Sequence, residues 1–250
     1  MNRPPARGAD ALSCVLASGA PGMPFVIVPS IGSTPLSLVR LARAIAPARP
    51  VRSFAYAGLE DDAPPHATIE AIARANVDEL MADAPRGPWL VGGHCYGGAV
   101  AVAMALDLEA RGAEVRGVTV LDGFAPLARE DVEGAADSPA GRAIQRSIED
   151  VVRRTLEHYP SLDRDAFARV SALLRLHIEA NLTYRASALR APLRVFRTAG
   201  SDDAMFTGWA RLAPAGCTLE TVPGDTFSML RPPAVEAVGR ALGRALDALA

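Results

Sequence analysis

The sequence predicts an α/β fold in which a mostly parallel central sheet is flanked by helices and interrupted by a helical insertion. Strand-like and helix-like segments alternate over residues 23–123, a pattern typical of consecutive strand–helix–strand units. Residues 126–190 then contain helical segments and no predicted strand, and the alternation resumes at residue 192.

The predicted strands are short apolar runs rich in β-branched residues, as expected for strands buried on both faces of a parallel sheet. In chain order they are 11–18, 23–29, 51–56, 88–94, 114–123, 192–200 and 217–224.

The predicted helices repeat apolar residues with a period of about 3.6 residues. Ser33 or Thr34 can cap the first helix, Pro35 suits its first turn, and Pro85 ends the second helix. The predicted helices are 35–46, 67–84, 97–112, 140–159, 164–189, 203–213 and 233–250.

These segments predict the domain organisation. We expect a linker or tail at residues 1–10, an α/β core at 11–125, a helical lid insertion at 126–190, and the continued core at 191–250. The chain has 250 residues, half of them hydrophobic, which is enough for one large buried core.

Composition excludes several function classes. The net charge of −2 gives no electrostatic reason to expect a nucleic-acid partner. All 26 basic residues are arginine, so a lysine Schiff base is excluded. The three cysteines, Cys14, Cys95 and Cys217, are too widely spaced for a disulfide framework or a zinc site. They suit a reducing, cytoplasmic compartment, and no apolar run reaches the roughly 18 residues of a membrane span.

The strongest motif is Gly93-His94-Cys95-Tyr96-Gly97, between a predicted strand and a predicted helix. It has the form of the G-x-S-x-G nucleophile elbow, with cysteine in the place of serine. Cys95 would lie at a helix N-terminus, where the helix dipole is expected to lower its thiol pKa. The backbone N–H of Tyr96 would then point into an oxyanion hole. The alternative is a glycine-rich turn with a buried structural cysteine.

Several stretches resemble the thioesterase domains that release products from polyketide synthases and nonribosomal peptide synthetases. They are FVIVPSIGSTPLSLVRLARAI, GPWLVGGHCYGGAVAVAMALDLEARG, VTVLDGFAP and VPGDTFSMLRPP, and the resemblance extends from about residue 11 to residue 248. It implies an α/β-hydrolase fold with a helical lid between two late strands. It also implies a second oxyanion N–H from the loop after residue 29, with Ser30 the first choice and Ile31 the alternative.

The resemblance implies a Ser–Asp–His triad, of which two positions differ here. Asp122, 27 residues after Cys95, fits the family's acid; Asp202 and Asp203 fit the acid position of other α/β-hydrolases, or a helix N-cap pair. Thr226 stands where the family has its histidine.

Four histidines remain as alternatives for the missing base. His94 belongs to the elbow and, by the resemblance, points away from the nucleophile. His66 is expected at the start of a surface helix, and His158 and His177 lie in the predicted lid. A structural or exposed role is favoured for both lid histidines over contact with Cys95.

We therefore expect a cysteine-dependent thioesterase or acyltransferase. Cys95 would accept an acyl chain from the phosphopantetheine thioester of a carrier protein and pass it to a nucleophile by cyclisation, condensation or hydrolysis. The alternative is a non-catalytic domain that binds acyl chains, or one in which Cys95 or Thr226 was introduced to trap an acyl-enzyme. No metal-ligand spacing or phosphate-binding glycine loop is present, so no bound cofactor is expected. The lid's apolar residues would shape an acyl channel or only pack: Leu156, Phe167, Leu173, Leu174 and Leu176.

Overall fold

A computed structural model describes most of the chain. The described residues are 12–45, 49–84, 86–128, 142, 146, 149–150, 153, 157, 164–201, 206 and 208–250. None of the helices within these ranges is long and apolar enough to span a membrane.

A seven-stranded sheet forms the centre of the molecule. Its strands are β1 (Ser13–Ala17), β2 (Phe25–Val28), β3 (Val51–Phe54), β4 (Trp89–His94), β5 (Val115–Leu121), β8 (Leu193–Thr198) and β9 (Cys217–Val222). They lie in the order β1-β3-β2-β4-β5-β8-β9, and each adjacent pair is parallel except β1 with β3. The predicted α/β class with a mostly parallel sheet is confirmed.

Helices cover both faces of this sheet, as a parallel sheet requires. On one face, α1 (Val39–Ile45) and α6 (Ala234–Leu249) pack on the apolar side chains of the strands. On the other lie α2 (Ile69–Asp83) and α3 (Tyr96–Ala110). Gly239 permits the close approach of α6 to α1, because a Cβ there would lie 2.4 Å from the Ala44 Cβ.

The start of the first helix differs from the prediction. Residues Pro35–Leu38 form a 3-10 turn before α1 begins, and the Thr34 side chain makes no capping hydrogen bond. Thr34 still occupies the N-cap position and Pro35 the first turn, as predicted, so only a side-chain capping hydrogen bond is missing. In α2, by contrast, the Thr68 side chain accepts a hydrogen bond from the Ala71 N–H at 3.1 Å, so that helix begins at Ile69.

The predicted lid is described in part. Its long helix is α4 (Arg164–Thr183), and two short parallel strands, β6 (Leu127–Ala128) and β7 (Arg185–Ala186), pair at its two ends. The expectation of no strand in this segment is wrong, because a two-residue strand leaves no periodic pattern to detect. Leu173 and Leu174 are buried while Phe167 is 46% exposed, and Leu156 and His158 lie outside the described residues.

The last predicted helix before β9 is also described in part. Its described helical segment is α5 (Trp209–Leu212), and Asp202 and Asp203 fall outside the described residues.

Candidate active site

Cys95 occupies a sharp turn between β4 and α3. Its backbone has φ 51° and ψ −119°, in a region that non-glycine residues rarely adopt. Two backbone hydrogen bonds hold the turn: the Cys95 N–H donates to the Leu121 carbonyl (2.8 Å), and the Gly98 N–H donates to the Cys95 carbonyl (2.9 Å). The turn presents residue 95 at the carboxyl end of the central strand.

The glycines around Cys95 are required by close backbone contacts. A Cβ on Gly93 would lie 1.9 Å from the Gly97 carbonyl oxygen, and a Cβ on Gly97 would lie 2.3 Å from the Val28 carbonyl oxygen. Real Cβ atoms cannot approach so closely, so the elbow closes only with glycine at both positions.

The Cys95 thiol is buried, with 5% of the residue exposed. Burial raises its pKa to about 11; a hydrogen bond with the Ser30 side chain and one with the Tyr96 backbone oppose this shift, and the nearby Asp122 charge adds to it. The expected lowering of the thiol pKa is therefore wrong, because desolvation of the thiolate outweighs the donors at the helix N-terminus.

Ser30 lies beside the thiol on the loop after β2. Ser30 and Ile31 are both buried, and the Ser30 side chain forms the hydrogen bond with Cys95 noted above. Tyr56 positions this loop, because its hydroxyl donates to the Pro29 carbonyl at 2.6 Å. The choice between the Ser30 and Ile31 N–H groups as an oxyanion donor stays a prediction.

Asp122 follows β5 and is fully buried, with φ 49°. Its Oδ1 accepts hydrogen bonds from the Thr198 N–H (2.9 Å), the Thr198 hydroxyl (3.3 Å) and the Ser201 hydroxyl (2.6 Å). Its Oδ2 accepts a hydrogen bond from the Thr226 hydroxyl. The structure thus brings Asp122 and Thr226 together.

Thr198 and Ser201 are site residues that no sequence pattern predicted. Both lie at the carboxyl end of β8, which pairs directly with β5. Their place beside the strand that carries Asp122 is a sequence signal, but the neighbouring Asp202 and Asp203 are the stronger candidates by residue type.

His94 supports the loop that carries Thr226. Its Nε2 lies 2.8 Å from the Thr226 carbonyl oxygen, which can only accept, so Nε2 carries the proton. Burial lowers the His94 pKa, and the Thr226 hydrogen bond and the Asp122 charge only partly oppose this. His94 is therefore neutral at pH 7 and binds the loop backbone through Nε2.

His177 on α4 packs into an aromatic cluster beside the elbow. Its ring stacks on the Tyr96 ring, with centroids 5.2 Å apart and planes at 9°, and meets the edge of Tyr56 at 4.9 Å. Burial lowers the His177 pKa to about 4, with a smaller contribution from His66. We call Tyr56, Tyr96 and His177 the aromatic cluster. No sequence pattern predicts a role for Tyr56 or for the Tyr96 side chain.

A cavity of about 380 Å³ opens beside the elbow. Hydroxyl groups, apolar side chains and two arginines line it: Ser30, Ser33, Thr34, Leu36, Ser37, Arg40, His94, Phe227, Leu230 and Arg231. It therefore joins the Ser30 loop to the loop that follows Thr226. Among the described residues, no cluster of histidine, cysteine and carboxylate side chains could hold a metal ion.

The arrangement combines a thiol at an elbow, a buried carboxylate and hydrogen-bond donors at the thiol. Among the described residues, no histidine forms a hydrogen bond with Asp122. The Thr226 hydroxyl makes the hydrogen bond that a triad histidine would make. Such a site can form a thioester, because thiols attack acyl groups without a strong base once deprotonated.

Comparison with known proteins gives consistent results. The chain is 23% identical over 242 residues to indigoidine synthase from Dickeya dadantii, a match that covers 85% of this chain and 16% of that protein. It is 32% identical over 124 residues to erythronolide synthase from Saccharopolyspora erythraea, covering 48% and 4%. The chain thus spans less than a fifth of the length of either relative.

Solved thioesterase domains share the fold. The NocB thioesterase domain from the nocardicin cluster superposes with a TM-score of 0.72 at 22% identity, covering 94% of this chain and 99% of that one. The Vlm2 thioesterase domain bound with a tetradepsipeptide gives 0.68 at 25% identity, covering 93% and 96%. The model of the Thioesterase domain family matches residues 23–246, and the chain belongs to that family.

Proposed function

We propose that this chain is a chain-releasing thioesterase domain of a polyketide or nonribosomal peptide synthase, in which Cys95 carries the acyl group. The observation that carries the proposal is a cysteine in a strained elbow beside an Asp122 carboxylate that binds a threonine hydroxyl. A base is absent where Thr226 lies, and a cysteine is the nucleophile that least needs one.

The first step transfers the acyl chain to the enzyme. The Cys95 thiolate attacks the thioester carbonyl of the incoming phosphopantetheine arm, a carbon–sulfur bond forms to Cys95, and the bond to the phosphopantetheine sulfur breaks. The departing thiolate takes up a proton equivalent to the one that Cys95 lost. One thioester replaces another, so this step is close to thermoneutral. The backbone N–H of Tyr96 and a donor from the Ser30 loop stabilise the tetrahedral oxyanion.

The second step releases the chain. A nucleophile attacks the Cys95 thioester, the carbon–sulfur bond breaks, and the Cys95 thiolate receives the proton that the nucleophile loses. Water is disfavoured, because without a general base its attack is slower by about 10²–10⁴-fold. An amine, thiol or carbanion attacks a thioester readily, so cyclisation or condensation is favoured over hydrolysis.

The cavity beside the elbow suits the arm of a carrier protein. It runs from Ser30, next to the thiol, to Arg40 and Arg231, and two guanidinium groups are suited to the phosphate of a phosphopantetheine. An acyl or peptidyl carrier protein is therefore the proposed partner, and the chemistry needs no bound cofactor.

Intact-protein mass spectrometry tests the proposal. The protein is mixed with an acyl thioester of N-acetylcysteamine, beside a Cys95→Ala variant and a Cys217→Ala control. A persistent acyl adduct that disappears only in Cys95→Ala is expected. An adduct that forms equally in Cys95→Ala, or none with any thioester, would refute the acyl-enzyme.

The burial of Cys95 favours a second candidate, a domain that binds acyl chains without catalysis. A thiol that is 5% exposed with a raised pKa is a poor nucleophile at pH 7. The same experiment separates the two candidates, because a binding domain forms no covalent adduct but still binds the thioester.

A further inference from the structure

Two polar atoms of the aromatic cluster are buried without a hydrogen-bond partner. They are the Tyr96 hydroxyl oxygen and the His177 Nδ1, and the two residues are 6% and 1% exposed. The third member of the cluster differs, because the Tyr56 hydroxyl donates to the Pro29 carbonyl. Seven other buried side-chain atoms among the described residues also lack a partner, but only these two belong to rings that stack on each other.

Such atoms are rare in folded proteins, since burying a polar group without a partner costs about 1–3 kcal/mol. The Tyr96 and His177 atoms differ from the others in the protein because they belong to two stacked rings, one of which directly follows Cys95. The pair offers complementary chemistry: a tyrosine hydroxyl both donates and accepts, and a neutral imidazole has one donor and one acceptor. The His177 ring is neutral at pH 7, because burial disfavours its charged form.

The pair also lies close to the nucleophile. Tyr96 directly follows Cys95 in the chain, and its ring packs beside Tyr56 at 6.0 Å. Burial raises the pKa of the Tyr56 hydroxyl, and the charges of Tyr96 and Cys95 add to this shift. A substrate group that hydrogen-bonds the edges of the Tyr96 and His177 rings would therefore belong to the part of an acyl chain near the thioester.

We propose that the Tyr96 hydroxyl and the His177 imidazole form an acyl subsite that binds an amide group of the substrate. The subsite selects aminoacyl or peptidyl thioesters over purely alkyl ones, because an amide supplies both an acceptor and a donor while a methylene pair supplies neither. This inference rests on the proposed function, since it assumes that the acyl chain is carried on Cys95. Both atoms are buried in the structure, so the subsite requires α4, which carries His177, to move away from Tyr96 when the chain enters.

Matched thioesters of N-acetylcysteamine test the subsite. The N-acetylglycyl and pentanoyl thioesters have chains of equal length, as do the N-acetyl-β-alanyl and hexanoyl thioesters, and each pair differs by one amide. The rate of Cys95 acylation is measured by intact mass and divided by the rate with a free thiol, which removes intrinsic reactivity. The wild-type protein is expected to prefer an amide at least 10-fold in one pair, as one or two buried hydrogen bonds imply.

Variants assign the preference to the two atoms. Tyr96→Phe and His177→Phe keep the rings, and each is expected to reduce the amide-to-alkyl ratio at least threefold. Tyr184→Phe, a buried tyrosine outside the cluster, is the matched control and should keep the ratio. A wild-type ratio near one, or a ratio that both cluster variants preserve, would overturn the inference.

Two further measurements keep the inference separable from the proposed function. If no thioester acylates Cys95, the proposed function fails; the subsite is then tested by binding of N-acetylglycinamide and pentanamide to Cys95→Ala, where equal affinities overturn it.

Thermal unfolding gives the second measurement. Removing an unpartnered buried hydroxyl should leave the Tm of Tyr96→Phe unchanged or higher, and a clear decrease would show that the hydroxyl serves the fold instead.

Discussion

At the scale of single residues, Cys95 combines a strained backbone with a buried thiol. Its position at the elbow and the donors from Ser30 and Tyr96 favour the thiolate, whereas burial disfavours it more strongly. The residue therefore rests as a thiol at neutral pH, and its reactivity depends on the small deprotonated fraction. This differs from a histidine-paired cysteine, which is deprotonated at rest.

The pH dependence of Cys95 alkylation follows from this. Since the pKa is raised to about 11, the thiolate fraction and the rate of reaction with iodoacetamide should rise about tenfold per pH unit from pH 7 to pH 10. Peptide mapping separates this site from Cys14 and Cys217. Ser30→Ala removes a donor to the sulfur and should slow the reaction further. A rate that levels off below pH 9 would contradict the burial argument.

Thr226 allows a test of the missing base. Its hydroxyl donates to Asp122, so a histidine introduced there meets a carboxylate that is already oriented. Thr226→His is expected to increase hydrolysis of the Cys95 acyl adduct by about 10²–10⁴-fold, measured as loss of the adduct mass over time. Thr226→Ala, which removes the hydroxyl without adding a base, is the control. Equal rates of hydrolysis in the two variants would show that the missing base does not limit hydrolysis.

At the scale of elements, α4 is attached to the core through the His177 ring. The ring stacks on Tyr96 at the start of α3 and contacts Tyr56 after β3. One buried imidazole thus joins the predicted lid to two parts of the core. Protonation of that ring would place a charge in an apolar contact, which makes the attachment sensitive to acid.

Acid should therefore destabilise the protein through His177. Its folded-state pKa is about 4, below the unfolded value near 6.5, so the unfolded state binds the proton first as the pH falls. The stabilisation is complete above about pH 6.5 and is lost as the pH falls toward 4, a difference of about 3 kcal/mol. His177→Phe keeps a stacked ring without this titration. Urea unfolding of both proteins between pH 4 and 7 should show a steeper decline for wild type, and parallel curves would exclude the effect.

The elements show what the sequence could and could not predict. Strand β2 and the elbow could be predicted from the sequence, because a continuous apolar run and paired glycines are local patterns. The β6–β7 pairing was not, because each strand has two residues. The thiol pKa was predicted in the wrong direction, since a helix N-terminus is visible in sequence while burial by packed neighbours is not. The Tyr96–His177 stack joins residues 81 positions apart, beyond any local pattern.

At the scale of the whole molecule, the parallel sheet gathers the site at one edge. Ser30 follows β2, Cys95 follows β4, Asp122 follows β5, Thr198 ends β8 and Thr226 follows β9. The carboxyl ends of parallel strands meet at the same edge, where open α/β sheets bind their ligands. The elbow and the family resemblance therefore predicted that Cys95, Asp122 and Thr226 share this edge, but Thr198 and the hydrogen bond from Thr226 to Asp122 required the three-dimensional arrangement.

The same edge gives a test of carrier-protein delivery. Arg40 and Arg231 line the cavity beside the elbow and have no ion pair among the described residues. If they bind the phosphate of a phosphopantetheine arm, the Arg40→Ala, Arg231→Ala double variant should raise the KM for a carrier-bound acyl thioester roughly 10-fold at low salt. The KM for an N-acetylcysteamine thioester, which lacks the phosphate, should change less than twofold.

Charge and salt controls make this prediction specific. Arg74→Ala changes the net charge at an exposed position on α2, outside the cavity lining, and should leave both KM values unchanged. Raising the salt concentration should weaken the binding of the carrier-bound substrate more in wild type than in the double variant. The double variant already lacks the attraction between the arginines and the phosphate that salt screens. If the double variant raises both KM values equally, the arginines do not bind the phosphate of the arm. The proposal that this cavity binds the carrier arm would then be wrong.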